Sequence, residues 1–346
     1  MTGGHPERYD VLDALAEGQV SIRQLAVSRE PTVDDVREAT ALARECDVVL
    51  GLGGGSVIDL AKAAAALVAA DGPVDHLEVI GRGRALPTSA LPVVAAPTTA
   101  GTGSEVTANA VVASPSDVVK VSVRGPTLLP VAAIVDPLLT VSCPRKVTAA
   151  AGLDAFTQCL EPFVSPMATP LTDGFARTGL AAAGRSLRQA YSQGSDVDAR
   201  SDMSLCALLG GLALANAKLG AVHGIAGVVG GVTGASHGAI CAALLPSVVT
   251  VTVAALRDRA PQSPALARFG RAAELVNGDR SSRADDLVDW IRETCQQLSM
   301  RGLGSLGLTS DQIDSVVSAS ARSSSIKGHP IELTSDELRR IVQSSL

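Results

Sequence analysis

Apolar positions in the first part of the chain fall into short strand-length runs separated by stretches of helical periodicity, the pattern of parallel βαβ units. The runs at 47–52, 91–96 and 131–135 read as strands. The first ends in Gly53, Gly54, Gly55 and Ser56; the second runs into Pro97, Thr98, Thr99, Ala100, Gly101, Thr102, Gly103 and Ser104; the third stops at Asp136 and Pro137. A further strand is expected over 20–27, and helices over 8–17, from Pro31 to about Glu45, and over 57–69. The second of these helices has acidic residues in its first turns, where the helix dipole favours them. Beyond Pro144 the strand signals fade. Ala- and Leu-rich helical patterns follow at 146–163, 170–192, 199–229, 238–257, 264–276, 283–298, 310–321 and 335–345. Thr334, Ser335, Asp336 and Glu337 form a capping sequence before the last of them. An α/β domain over 1–144 followed by an all-helical domain over 145–346 is therefore expected.

Composition adds to this picture at three points. With 346 residues, 46% of them apolar and 18% charged, the chain can bury two cores. Only 2% of residues are aromatic, so those cores are filled by Ala, Val, Leu and Ile. The net charge of -6 excludes a general nucleic-acid binder, which needs a surplus of Lys and Arg, and points to a small-molecule partner. Six cysteines, Cys46, Cys143, Cys159, Cys206, Cys241 and Cys295, lack a CxxC pair or regular spacing and read as buried thiols in a reducing compartment. The first ten residues contain no apolar core of signal-peptide length, and the Ala-rich run at 61–70 is too short to span a bilayer. A cytoplasmic protein that engages no membrane is the expectation.

Two loops and four side chains can carry chemistry. Gly53, Gly54, Gly55 and Ser56 lie between a strand and a helix, where backbone N–H groups can bind a phosphate; a tight βα turn would use the same residues. The loop at 98–104 leaves the C-terminal end of another strand, and two such loops on one sheet edge favour the ligand. Of five histidines, His223 and His237 lie in apolar, glycine-rich surroundings. Asp154 and Gln158 are one helical turn apart and can point at one object. A carboxylate, an amide oxygen and two imidazoles suit a divalent transition metal such as Fe2+ or Zn2+, whereas Asp154 alone could equally be a helix-surface carboxylate.

Three segments together resemble the iron-type alcohol dehydrogenases. They are Gly53, Gly54, Gly55, Ser56, Val57, Ile58, Asp59, Leu60, Ala61 and Lys62; then Pro97 through Ser104 with Glu105, Val106 and Thr107; then Gly152, Leu153, Asp154, Ala155, Phe156, Thr157 and Gln158 with His223 and His237. The likeness runs from about residue 8 to the end and includes Lys327, Gly328, His329 and Pro330. It implies a Rossmann-like α/β N-terminal domain, an all-α C-terminal domain and a homodimer. It also implies an NAD- or NADP-dependent oxidoreductase that interconverts an alcohol and an aldehyde or ketone by metal-assisted hydride transfer. Gly54, Gly55 and Ser56 would hold the cofactor pyrophosphate, and Asp59, Thr98, Thr99, Thr102, Thr107 and Lys120 would line the dinucleotide. Asp154, His223 and His237 would hold the metal, which lowers the pKa of the alcohol.

The chain departs from the family at three places. Gln158, a weaker neutral donor, stands where the alcohol dehydrogenases usually have histidine; related glycerol dehydrogenases manage with one Asp and two His. Gly227 replaces a further histidine four residues past His223, so a proton relay through it is missing. The first strand and βα turn expected before 8–17 are also lacking, and these usually complete the cofactor pocket. Two alternative readings stand beside the main one. One is a metal-free reductase like the maleylacetate reductases, against which Asp154 speaks. The other is a non-redox lyase or cyclase like the dehydroquinate synthases, or a silent homologue.

Overall fold

The computed structural model describes residues 1–346 apart from 6–10, 19, 71, 78–80 and 118, so the start of the helix expected over 8–17 lies outside the described residues. By its contacts the chain divides into two compact units: 1–99 with 103–143, and 100–102 with 144–346.

The first unit contains helices α1 (Val11–Glu17) and α2 (Val33–Ala43), strand β1 (Val49–Gly53), helix α3 (Gly55–Ala66) and strands β2 (Val93–Pro97), β3 (Asn109–Ser114), β4 (Val119–Arg124) and β5 (Ala132–Ala133). Strands β1, β2 and β5 form a parallel sheet in that order. Val49 pairs with Val93 and Gly53 with Pro97, so both strands end at the same level and their following loops lie side by side. Thr98 N–H donates to the Gly53 carbonyl at 2.9 Å, joining the loops at their roots. Helix α3 is alanine-rich for a steric reason. It lies so close to β1 that a Cβ on Gly51 would stand 3.1 Å from Ala61 Cβ.

Several expectations for this unit are corrected. The apolar run at 20–27 contributes a single bridge at Ala26 rather than a strand. The run at 131–135 pairs only at Ala132 and Ala133, because Asp136 turns the chain into a short 3-10 helix, accepting a hydrogen bond from Leu138 N–H. The antiparallel hairpin of β3 and β4, in which Val112 faces Val121, was not expected at all. The lack of a first strand is corrected in part: Thr2 bridges in parallel to both Leu52 and Ala26, so residues at the start of the chain extend the sheet beside β1.

The second unit is helical: α4 (Arg145–Val164), α5 (Pro170–Ser192), α6 (Val197–Ala217), α7 (Ala221–Thr233), α8 (His237–Arg259), α9 (Pro264–Asn277), α10 (Ala284–Gln297), α11 (Ile313–Ser320) and α12 (Ser335–Ser344). Helix α12 begins with the expected capping box, in which Thr334 and Glu337 exchange hydrogen bonds of 2.7 and 3.2 Å. The single helix expected over 199–229 is two helices. Lys218 takes a positive φ of 61°, and α6 and α7 meet at 99°. Helix α8 is long and apolar enough to cross a bilayer, but 67% of its apolar window is buried in the protein, as befits a core helix.

Helix α5 passes α9 at glycine distance. A Cβ on Gly184 would lie 2.5 Å from Val276 Cα and 2.6 Å from its carbonyl oxygen, backbone atoms that cannot swing away, whereas one on Gly174 in the same helix would meet nothing. We therefore expect Gly184→Ala to destabilise the unit by about 2 kcal/mol through overpacking. Gly174→Ala should stabilise it by about 0.5–1 kcal/mol through helix propensity. Paired urea melts check this; equal midpoints for the two variants would contradict it.

Candidate active site

Helix α4 is buried around its whole circumference in its second half, yet carries Asp154, Gln158 and Glu161 there. Enclosing such side chains costs several kcal/mol unless each finds a partner. Glu161 finds one at the start of α7. Its Oε1 accepts from Val222 N–H at 2.7 Å and its Oε2 stands 2.7 Å from His223 Nδ1. The carboxylate thus caps a helix whose dipole favours negative charge and holds a ring at the same time. Gly220 makes this possible, since a Cβ there would lie 2.9 Å from Glu161 Oε1 and 3.0 Å from His329 Nδ1. The break between α6 and α7 therefore has a tertiary cause.

Burial works against charge on Glu161, but the His223 hydrogen bond and charge, with backbone donation near Gly220, hold its carboxyl below the usual range. An ionised carboxylate only accepts, so one His223 proton sits on Nδ1, and Nε2 faces Asp154 Oδ1 at 3.3 Å. These two atoms are not aligned as a hydrogen bond, and both are buried without a hydrogen-bond partner; Gln158 Oε1 is in the same state. Gln158 Nε2 donates to Asp154 Oδ2 at 2.8 Å, which fixes the amide's orientation. Burial also opposes charge on Asp154, and the close approach of His223 with the charges of His237 and His223 lowers its pKa nonetheless.

His237 is the first residue of α8 and places Nε2 3.8 Å from Asp154 Oδ1. It reaches that far because Gly238 lets α8 touch α4; a Cβ there would lie 2.8 Å from the Ala150 carbonyl oxygen. One turn later Cys241 Sγ stands 3.5 Å from His237 Nε2. Ligand atoms of Asp154, His223, His237 and Cys241 all lie within 4.8 Å of one another. Three of the four residues are buried, while the His237 side chain is 39% exposed.

The arrangement has the properties of a cation site. Two buried carboxylates flank one imidazole, and the field they create draws a proton onto His223: burial opposes this, but Asp154 and Glu161 raise its pKa to about 10. A divalent ion would answer the same field and could also satisfy the orphaned Oδ1 and Nε2. The donors, one carboxylate, two imidazoles and a nearby sulfur, suit a transition metal. Glu161 behind His223 supplies the carboxylate–histidine contact that orients such a ligand at metal sites.

The expected cofactor residues lie mostly in the first unit. Gly54 is the N-cap of α3, and Gly55 and Ser56 begin the helix, whose first N–H groups have no partner within it. Thr99 packs on this turn, with Oγ1 3.3 Å from where a Gly54 Cβ would be. Asp59 accepts from Val111 N–H at 3.0 Å and from Ser104 Oγ. Thr107 Oγ1 is 3.2 Å from Lys62 Nζ. Lys120, on β4, pairs with Glu30, and Thr102 falls in the short segment that clusters with the second unit.

The structure gives four further residues a position that the sequence did not single out. Lys62 is fully buried and binds the Ser104 carbonyl and Oγ at 2.7 and 2.9 Å, tying α3 to the 98–104 loop; burial lowers its pKa against the charges of Asp59 and Glu105. Glu161, Cys241 and His329 are the others. Glu161 lies three residues past Gln158 and Cys241 four past His237, spacings that were available as a signal.

Residues 6–137 match the family model described as iron-containing alcohol dehydrogenase, and residues 148–346 match the C-terminal model of the Fe-containing alcohol dehydrogenase family. A 4-hydroxybutyrate dehydrogenase of Cupriavidus necator is 34% identical over 344 residues, covering 97% of this chain and 87% of that protein. Long-chain-alcohol dehydrogenase 1 of Geobacillus thermodenitrificans is 45% identical over 223 residues, covering 64% of this chain and 56% of that protein. Among solved structures, a sulfoacetaldehyde reductase from Bifidobacterium kashiwanohense in complex with NAD+ superposes with a TM-score of 0.84 at 28% identity, covering 99% of this chain and 89% of that one.

His329 sets a pH limit on this site. Its Nδ1 accepts from Ala221 N–H at 3.2 Å, so the neutral ring carries its proton on Nε2, 3.0 Å from Thr252 Oγ1. A second proton on Nδ1 would face the Ala221 N–H, and burial lowers the pKa to about 4 against the charges of Glu161 and Glu337. With the folded pKa below the unfolded value of about 6.5, the unfolded chain binds more protons between the two. This contribution to stability is complete above pH 6.5 and lost towards pH 4. Melting temperature should fall more steeply across that window for the parent protein than for His329→Gln; parallel curves would show that His329 has no part in it.

Proposed function

The chain belongs to the iron-containing alcohol dehydrogenase family, and on that basis we propose how its own residues interconvert an alcohol with its aldehyde or ketone using NAD(P). The observation that carries this reading is the convergence of Asp154 Oδ1 and His223 Nε2, buried and unsatisfied, with His237. Asp154, His223 and His237 would hold a divalent ion, Fe2+ or Zn2+. Such an ion would supply Lewis-acid polarisation of the alcohol or carbonyl oxygen, and a nicotinamide would supply or accept the hydride. Glu161 keeps the His223 proton on Nδ1, so that Nε2 offers its lone pair. Gln158 steadies Asp154 through Oδ2 and leaves Oδ1 for the ion; its own carbonyl oxygen is a weaker candidate ligand.

For the dinucleotide, Gly54, Gly55 and Ser56 offer the N-terminus of α3 to the pyrophosphate. Thr98, Thr99, Thr102 and Lys120 line the remainder. Asp59 and Thr107 support that cradle from behind, since their polar atoms are engaged with Ser104, Val111 and Lys62. The metal-free and non-redox readings are not favoured, because the relatives found are alcohol and hydroxyacid dehydrogenases and Asp154 is present and placed. A homodimer is supported by the exposed apolar residues Leu129, Val131, Ile134 and Leu138, which flank β5 in the sequence. Six free thiols support a cytoplasmic setting.

NADH or NADPH should bind with enhanced cofactor fluorescence, and Fe2+- or Zn2+-loaded protein should oxidise short alcohols; no binding of either nucleotide at millimolar concentration would end the proposal. Glu161→Gln is the sharper test of the site. Its amide can accept from Val222 N–H only by turning its NH2 towards His223 Nδ1, which moves the ring proton to Nε2. Ion affinity should drop by about 10- to 100-fold, measured by competition with a chelating dye. Unchanged affinity would remove Glu161 from the site's function.

A further inference from the structure

We propose that Cys241 is a ligand of the metal centre, so that the ion is held by Asp154 Oδ1, His223 Nε2, His237 Nε2 and Cys241 Sγ, a set that selects zinc over iron. This rests on the reading that the site holds an ion at all. The sulfur is placed by the same helix that supplies His237: the two are four residues apart on α8 and present their tips to one point. Donors about 2.0–2.3 Å from a tetrahedral zinc stand about 3.3–3.7 Å from each other. The separations here are 3.3 Å for Asp154 and His223, 3.5 Å for His237 and Cys241 and 3.8 Å for Asp154 and His237. Three of the six donor pairs are thus close to the edges of a coordination tetrahedron, and all four donors lie within 4.8 Å of one another.

A further observation favours sulfur as the fourth donor over the amide of Gln158. The Gln158 NH2 group is committed to Asp154 Oδ2, and an amide oxygen is a weak neutral donor beside a thiolate. Binding forms the metal–sulfur bond and releases the Cys241 proton, with any second proton on His223, to solvent; no electron moves. Thiolate is a soft ligand, and a tetrahedral nitrogen, oxygen and sulfur set suits zinc better than iron. Zinc held by four protein donors can still take a fifth, so the substrate oxygen is not shut out.

The test uses the full-length protein, stripped of metal and kept reduced with a phosphine rather than a thiol. Titration with Co2+ should give visible ligand-field bands together with an intense near-ultraviolet thiolate-to-cobalt band. Cys241→Ser should keep the first and lose the second, and Gln158→Ala should keep both. Zinc-edge X-ray absorption of the parent protein should show one sulfur at about 2.3 Å, a result that does not depend on any variant folding. Zinc affinity should fall by about tenfold or more in Cys241→Ser. Cobalt binding with no sulfur signature would overturn the role of Cys241 and leave the three-residue site standing. No cobalt binding at millimolar concentration would remove both.

Discussion

The second unit depends on one buried carboxylate serving two masters. Glu161 sits within the most enclosed helix of the unit, where an unpaired charge would be prohibitive. It is tolerated because one oxygen closes the N-terminus of α7 and the other receives the His223 ring proton. Much of the local architecture follows. The chain must break at 218–220 so that α7 can start in front of Glu161, residue 220 must be glycine, and His329 must accept the neighbouring N–H. The same contact leaves His223 Nε2 facing Asp154. Structural capping and ligand orientation are one interaction here and cannot be altered separately.

The first unit solves a related problem with opposite charge. Lys62, wholly enclosed, ties the helix behind one loop to the backbone of the other, with Asp59 and Thr107 completing the knot. Parallel pairing of Gly53 with Pro97 sets the two loops level, and the lysine keeps them so. In both units small residues decide how closely elements approach: Gly51 against Ala61 in the first, Gly238 against Ala150 in the second. A chain poor in aromatics achieves position through proximity of backbones rather than through bulky wedges.

The architecture was legible in the sequence where pattern alone determines it. The change at Pro144 from strand runs to helical periodicity, the glycine turn after the first strand run and the Thr334 capping box all have local causes. Features missed or misjudged have tertiary ones. No proline or loop-like composition marks Lys218, Leu219 and Gly220, because the break is imposed by Glu161 and His329 from distant parts of the chain. The apolar run at 20–27 has strand character without a full-length neighbour to pair with. The β3–β4 hairpin lies in a stretch where the family resemblance draws attention only to Lys120, although Val119, Val121 and Val123 alternate there. In the site, Asp154, Gln158, His223 and His237 could be named from type and spacing. Glu161 and Cys241 share such spacings, three past Gln158 and four past His237, but a glutamate and a cysteine in helices have bland explanations until their neighbours across the fold are known.

Of the four side chains gathered around Asp154 Oδ1, only that of His237 has substantial contact with solvent. That asymmetry gives the site a front and a back. An ion taken up at the proposed site would meet His237 first and would have to desolvate past it to reach the fixed donors behind; on leaving it would part from His237 last. Exchange kinetics would then be governed by the rotation of a single ring, and equilibrium affinity by the buried set. A change that merely loosens His237 would speed both loading and loss and leave the occupancy at equilibrium much less affected.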